Sequence, residues 1–173
     1  MTLEPAQIAA QGKQAFEIKK FGEAAELFRQ AADGYTTGRS ALMAAEMMNN
    51  MSVALLQSGK PQQALDAALG TDQIFADAKD FKRYGMALGN QAAALEALNR
   101  YDEALASYEL SAELFAQAGE GDLRSMVMKS AAAIKLKTGK ITDSAFKMMG
   151  SLDVKDNPGF FERILKFLLR FVK

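Results

Sequence analysis

Two asparagines, Asn50 and Asn90, could act together as hydrogen-bonding groups. They lie forty residues apart, each inside a run of small and apolar residues. A carboxamide both donates and accepts hydrogen bonds, so such a pair can hold a peptide main chain without depending on its side chains. The alternative is that both are solvated residues on a helix surface. Their recurrence in register favours binding.

The composition argues against most kinds of catalysis. The chain of 173 residues contains no histidine and no cysteine, which excludes Ser-His and Cys-His nucleophile pairs, Cys/His zinc sites and disulfides. No motif for phosphate or metal binding appears. Recurring acids such as Glu23 and Glu103 fall near predicted helix starts, where they would stabilise the helix dipole. We therefore expect a protein that is not an enzyme and needs no cofactor.

The charge and hydropathy are those of an ordinary globular protein. Hydrophobic residues make up 49% of the chain and charged residues 24%. Lysine plus arginine equals aspartate plus glutamate at 21 each, so no net field would attract nucleic acid. The first residues lack the basic start and apolar run of a signal peptide, and no stretch approaches the roughly 18 apolar residues that span a bilayer. The expected location is the cytoplasm.

A repeat of forty residues organises most of the chain. The segments "KFGEAAELF", "KPQQALDAA", "RYDEALASY" and "KITDSAFKM" begin at Lys20, Lys60, Arg100 and Lys140. The pattern predicts repeats at about 4–38, 42–78, 82–118 and 122–150. Each repeat is predicted to be two helices joined by a short turn, because apolar residues fall at helical spacing on both sides of a turn former. One such pair cannot bury its own apolar stripe, so the four are expected to stack as a solenoid.

The segment "ALGNQAAALEALNRYDEALASYELSAELFAQAGE" resembles the tetratricopeptide repeat family. The likeness lies in the small residue of the first helix, the aromatic that opens the second, and the alanine and aromatic in phase behind it. It covers about residues 6–150. Forty residues exceed the family's usual period of about 34 and are similar to the long-helix repeats of kinesin light chains. The resemblance implies an all-α, right-handed superhelix of four helix pairs whose concave face binds peptides or helices.

The resemblance also implies which side chains face the concave groove. Asn50 and Asn90 take the position at which the family holds a peptide main chain, and residues one turn away share their face. Lys13 and Lys129 could instead be solubilising charge. Ala10 and Ala93 leave the family's carboxylate clamp, which binds acidic chain ends, incomplete. The groove is instead rich in alanine, valine and methionine, which suits an apolar or helical partner. The predicted peptide-binding residues are Lys13, Glu46, Asn49, Asn50, Val53, Met86, Asn90, Ala93, Met126, Lys129 and Ser130.

The last residues, "NPGFFERILKFLLRFVK", depart from the repeat. Residues 151–158 are predicted to be a linker and 159–173 an amphipathic helix, with Asn157 and Pro158 at its start. On a helical wheel the charged residues fall within an arc of about 100° and the apolar residues on an opposing arc of about 200°. The residues predicted to dock on a membrane or partner are Phe160, Phe161, Arg163, Ile164, Leu165, Lys166, Phe167, Leu168, Arg170 and Phe171.

Three roles for this C-terminal segment remain open. It could cap the last repeat, lie on a membrane surface with its basic residues on anionic lipid, or occupy the concave groove of the same molecule or a neighbour. Its apolar surface would equally support a homodimer. The sequence thus predicts a protein-interaction scaffold with a protein or peptide partner and no nucleic acid. The alternative is an adaptor peripherally attached to a membrane through the C-terminal segment.

Overall fold

The fold is an all-α solenoid of consecutive helix pairs, as the sequence predicts. A computed structural model describes residues 3–140. Most consecutive helices pack on one another along the chain, and the first helices of the second and third repeats also meet. The helices are α1 (Pro5–Glu17), α2 (Phe21–Thr37), α3 (Ala41–Gln57), α4 (Pro61–Ala68), α5 (Thr71–Asp77), α6 (Phe81–Ala97), α7 (Tyr101–Gln117) and α8 (Gly121–Lys137).

The chain divides into two compact units, residues 1–131 and 132–173. The first unit holds α1 to α7 and most of α8. Of the second unit the structure describes residues 132–140, which include the end of α8. The predicted second helix of the fourth repeat, the linker at 151–158 and the amphipathic helix at 159–173 lie outside the described residues.

The turns inside the repeats share one backbone geometry. Gly59, Asn99 and Lys19 all adopt the left-handed conformation, with φ of 76°, 60° and 61°. In each turn the N–H of the following residue donates to a carbonyl five residues back, as Lys60 does to Leu55 at 3.0 Å, which is the hydrogen bond that closes a helix in the Schellman motif. The same turn therefore forms at Lys19, where the sequence lacks a turn former.

Small residues let the two helices of each repeat approach closely. Ala24, Ala64 and Ala104 occupy the same position in successive second helices and are fully buried. The hydroxyl of Ser52 donates to the Ala64 carbonyl at 2.7 Å, so α3 and α4 are joined directly. Phe28 fills the corresponding space in the first repeat. These contacts hold the two helices of a repeat together.

The second helix of the second repeat is broken, which the repeat pattern does not predict. Its counterparts α2 and α7 are each 17 residues long, whereas α4 ends at Ala68 and α5 begins at Thr71. Between them Leu69 is extended and Gly70 is left-handed with φ of 82°, a conformation that glycine adopts without steric cost. The position of Phe28 is taken here by Ala68.

Candidate functional site

A cleft of about 230 Å³ opens between α1 and α3. Its apolar walls come from Phe16 on α1, Phe28 on α2 and Val53 on α3. Phe16 is half-buried, and its ring packs edge-on against Phe21 with the ring centroids 5.2 Å apart. Since Phe28 is 3% exposed, the cleft is backed by the packed interior. The remaining lining residues are Lys13, Glu17 and Asn50.

The cleft brings together three of the residues that the sequence singles out, Lys13, Asn50 and Val53. Asn50 is half-buried, and its carboxamide makes no hydrogen bond to another side chain or to the backbone within residues 3–140. Lys13 is exposed and has no carboxylate within 4.0 Å in the same range. The cleft therefore joins apolar walls to an amide and a charge that are available to a ligand.

The next first helix, α6, presents an equivalent face. Asn90 and Ala93 are half-buried, and Met86 is 40% exposed. The Asn90 carboxamide, like that of Asn50, has no hydrogen-bond partner in the part of the chain that the structure describes. On α8, Met126 is 58% exposed and Lys129 is also exposed. The face lined by the candidate residues thus continues along successive first helices.

Glu46 is engaged by a residue that the sequence pattern missed. Its Oε2 lies 3.5 Å from Nη1 of Arg83, which links α3 to α6. The Nε of Arg83 lies 2.9 Å from Asp80, and its guanidinium carbon lies 5.7 Å from the centroid of the Phe75 ring, within the range of a cation–π contact. The equivalent positions in the other repeats hold leucine or methionine. A charged residue at a repeat position that is otherwise apolar is the signal that could have identified Arg83.

Asn49 lies in the interior between repeats and not on the face of Asn50. It is 5% exposed, and its Oδ1 lies 3.2 Å from the hydroxyl of Thr71. Adjacent residues of a helix point about 100° apart, which separates the two asparagines. The structure therefore gives Asn49 a packing role and leaves Asn50 at the cleft.

Ser130 is turned partly toward the second helix of the preceding repeat. It lies beside Tyr108, while the Tyr108 hydroxyl donates to Glu96 Oε2 at 3.0 Å. Burial raises the pKa of Tyr108, and the charge of Glu96 beside it raises it further, whereas Ser130 lowers it slightly. The hydroxyl therefore stays protonated and keeps donating. Ser130 is half-buried and is already engaged in packing.

Three lining residues of the cleft, Phe16, Glu17 and Phe28, were absent from the predicted set. The prediction followed four positions of the repeat, whereas the walls also come from two further positions on α1 and from α2. Glu17 could have been found from its place one helical turn after Lys13.

The described residues carry neither a metal cluster nor a membrane span. No group of three or more metal-ligating side chains forms within residues 3–140. None of the helices described is both long enough and apolar enough to cross a bilayer.

Comparison with protein-family models identifies the family to which this fold belongs. The family model described as "Soluble NSF attachment protein, SNAP" matches residues 5–150, which is more than half of the chain and includes all eight described helices. The chain belongs to the SNAP family. No protein of curated function matches the sequence.

SNAP-family membership agrees with the resemblance to tetratricopeptide repeats at the level of the superfamily, since the SNAP fold is a helical solenoid of that type. The SNAP family is a family of non-enzymatic adaptors that bind protein partners. The general prediction of a helical-repeat scaffold is therefore confirmed.

Proposed function

We propose that this SNAP-family chain is an adaptor that binds a peptide or helix on the face formed by its first helices. The observation that carries the proposal is the pair Asn50 and Asn90. They occupy the same position in consecutive first helices, and both are half-buried. Neither carboxamide is bonded within the described residues, whereas the neighbouring Asn49 is. No side-chain nitrogen or oxygen that is fully buried in the described residues lacks a partner, so both carboxamides are accessible to water and to the main chain of an incoming ligand.

The chemistry around the two asparagines favours an amphipathic partner. The walls of the cleft are apolar, and Met86 and Met126 are exposed along the same face. Methionine side chains adapt to differently shaped apolar surfaces, and helices laid into grooves use such surfaces. The description of the family names attachment to NSF. We infer that this chain likewise attaches one protein to another.

Three finer predictions stay predictions. The kinesin light chain-type variety rests on the forty-residue period, and the membrane and homodimer alternatives rest on residues 159–173. The described residues offer two unbonded carboxamides and an apolar cleft, which support a protein partner in preference to a lipid surface.

Replacing both carboxamides tests the proposal. We expect Asn50→Ala with Asn90→Ala to weaken capture of the partner from native lysate roughly tenfold or more, because each lost hydrogen bond contributes about 0.5–1.5 kcal/mol. Helical content, measured by circular dichroism, should not change, since neither side chain is bonded within the described fold.

The matched control replaces two exposed carboxamides on second helices, Gln63→Ala with Gln117→Ala. This variant should capture the partner as the wild type does. Equal capture by both double variants would contradict binding through the asparagines.

A further inference from the structure

The cleft between α1 and α3 has the size of one large side chain. Its volume of about 230 Å³ is below the roughly 300 Å³ at which pockets for drug-sized molecules begin, and an apolar cavity of about 150 Å³ already accepts benzene. Two of its walls, Phe16 and Phe28, are themselves aromatic. An inserted aromatic ring therefore gains stacked or edge-on contacts that an aliphatic side chain cannot make.

The aromatic walls do not follow from the repeat. Forty residues further along the chain, Phe16 and Phe28 are replaced by Leu56 and Ala68. The asparagines of the same face do recur, and a carboxamide suits a main chain, which is the same at every position of a partner. Walls that only one of these two repeats carries suit one particular side chain instead.

The mouth of the cleft carries one charge of each sign. Lys13 and Glu17 lie four residues apart on α1, about 6 Å along the helix axis, and both are exposed. Neither has an ion-pair partner within 4.0 Å among the residues from 3 to 140. Their counterparts in the second repeat are the uncharged Val53 and Gln57. Both charges are thus available to a ligand, and they too distinguish the first repeat from the second.

A helix that inserts an aromatic side chain can reach both charges. At about 100° per residue, the residues three before and one after the inserted residue point to the same side of a helix, about 40° apart. They are four residues apart, which matches the spacing of Lys13 and Glu17. The residues one before and three after the aromatic do the same on the other side, so a partner helix can run in either direction beside α1.

We propose that the cleft between α1 and α3 binds one phenylalanine or tyrosine side chain of a partner helix. This helix carries an acid and a base four residues apart that bracket the aromatic residue, with the acid at Lys13 and the base at Glu17. It also covers Asn50, which lines the same cleft. The proposal rests on the proposed function and deepens it, because it names the side chains by which the partner is recognised.

Peptides selected on the full chain test the proposal. The probe is a phage library of random peptides about sixteen residues long, which allows about four helical turns. We expect the selected peptides to carry a phenylalanine or tyrosine bracketed by an acid and a base four residues apart. Val53→Trp, which fills the cleft, should weaken their binding about tenfold or more, because the aromatic anchor loses its pocket. Selected peptides without an aromatic residue, or equal binding to this variant, would overturn the proposal.

A second variant changes only exposed residues and leaves the packed interior intact. Lys13→Glu with Glu17→Lys should exchange the acid and the base in the selected peptides and keep the aromatic residue. The matched control is Arg29→Asp with Asp33→Arg, which reverses a pair of the same spacing on α2 outside the cleft. It should select the same peptides as the wild type. An order of acid and base that the first variant does not exchange would overturn the proposal.

Two other occupants are separated by direct measurements. N-acetylphenylalaninamide that displaces the peptides at equal concentration would make a small aromatic molecule the occupant. A dimer of the chain alone that Val53→Trp dissociates, measured by analytical ultracentrifugation, would make a second copy the occupant. Either result would overturn the proposal.

The variant Asn90→Ala distinguishes failure of this proposal from failure of the proposed function, because Asn90 lies on α6 and does not line the cleft. Peptides that bind less well to Asn90→Ala but equally well to the wild type and to Val53→Trp would leave a binding face and overturn the cleft as its aromatic site. A library that yields no peptide on the wild-type chain would contradict both.

Discussion

At the scale of single residues, a missing Cβ decides how closely α6 and α7 approach. A Cβ added at Gly85 would lie 2.9 Å from Cε1 of Phe115, and that ring is 2% exposed and cannot move aside freely. The hydroxyl of Ser111 also donates to the Gly85 carbonyl at 2.7 Å. One turn later, a Cβ at Gly89 would meet Ser111 Oγ at 3.5 Å and Val127 Cγ1 at 3.6 Å, which are ordinary contacts.

The two glycines therefore give opposite predictions for the same substitution. Gly85→Ala should lower the free energy of unfolding by about 1–3 kcal/mol, because the added methyl overpacks the core against Phe115. Gly89→Ala should leave it unchanged or raise it by up to about 1 kcal/mol through helix propensity. Urea denaturation followed by circular dichroism measures both. Equal losses of stability would show that the clash at Gly85 is relieved by movement of the helices.

The candidate site was predictable to the extent that it follows the repeat. Asn50, Val53 and Met86 lie on the more exposed side of their helices, as helical periodicity indicates. Asn49 and Arg83 could not be assigned in the same way. The role of Asn49 depends on Thr71 across a helix break, and Arg83 has no counterpart in the other repeats.

At the scale of elements, the break between α4 and α5 is held by buried polar groups. It frees the carbonyl of Ala68, which accepts hydrogen bonds from the Thr71 hydroxyl at 2.7 Å and from Gln91 Nε2 at 3.1 Å. The same Gln91 nitrogen donates to Asp72 at 2.9 Å. Since Gln91 belongs to α6, this cluster also joins the second repeat to the third. The break therefore contributes hydrogen bonds to the interface between the second and third repeats.

Removing one hydroxyl should test the cluster. Thr71→Val keeps the shape of the side chain but takes a donor from the Ala68 carbonyl and a partner from Asn49. We expect a loss of about 1–3 kcal/mol in the free energy of unfolding, the usual cost of leaving a buried polar group unsatisfied.

Thr37→Val is the control, because that threonine is exposed and its hydroxyl bonds only to the carbonyl of Asp33 in its own helix. Its effect should stay within about 0.5 kcal/mol. Comparable effects at the two threonines would mean that the cluster does not stabilise the break.

Helix positions were predictable from the sequence because each repeat carries its own periodicity and turn. Pro61 and Tyr101 begin second helices, as the pattern indicates. The break was not predictable in the same way, because Gly70 is one residue in an otherwise helical pattern. Its consequence depends on Thr71 and on Gln91, a residue of the next repeat.

At the scale of the whole molecule, the SNAP-family solenoid repeats one helix pair along the chain. Small residues and the turns between helices hold the two helices of a repeat together, and the first helices α3 and α6 of consecutive repeats contact each other. Asn50 at the cleft and Asn90 lie on these two helices. We therefore expect partner binding to depend on the alignment of successive repeats and not on one residue alone.

Site-specific photo-cross-linking tests whether a partner binds along the first helices. A benzophenone attached to the single cysteine of Met86→Cys, which is 40% exposed on α6, would report on the face of the first helices. The same probe on Ala106→Cys, exposed on α7, would report on the second helices. We predict that the captured partner cross-links from position 86 and not from position 106. Cross-linking from position 106 alone would contradict a binding face formed by the first helices.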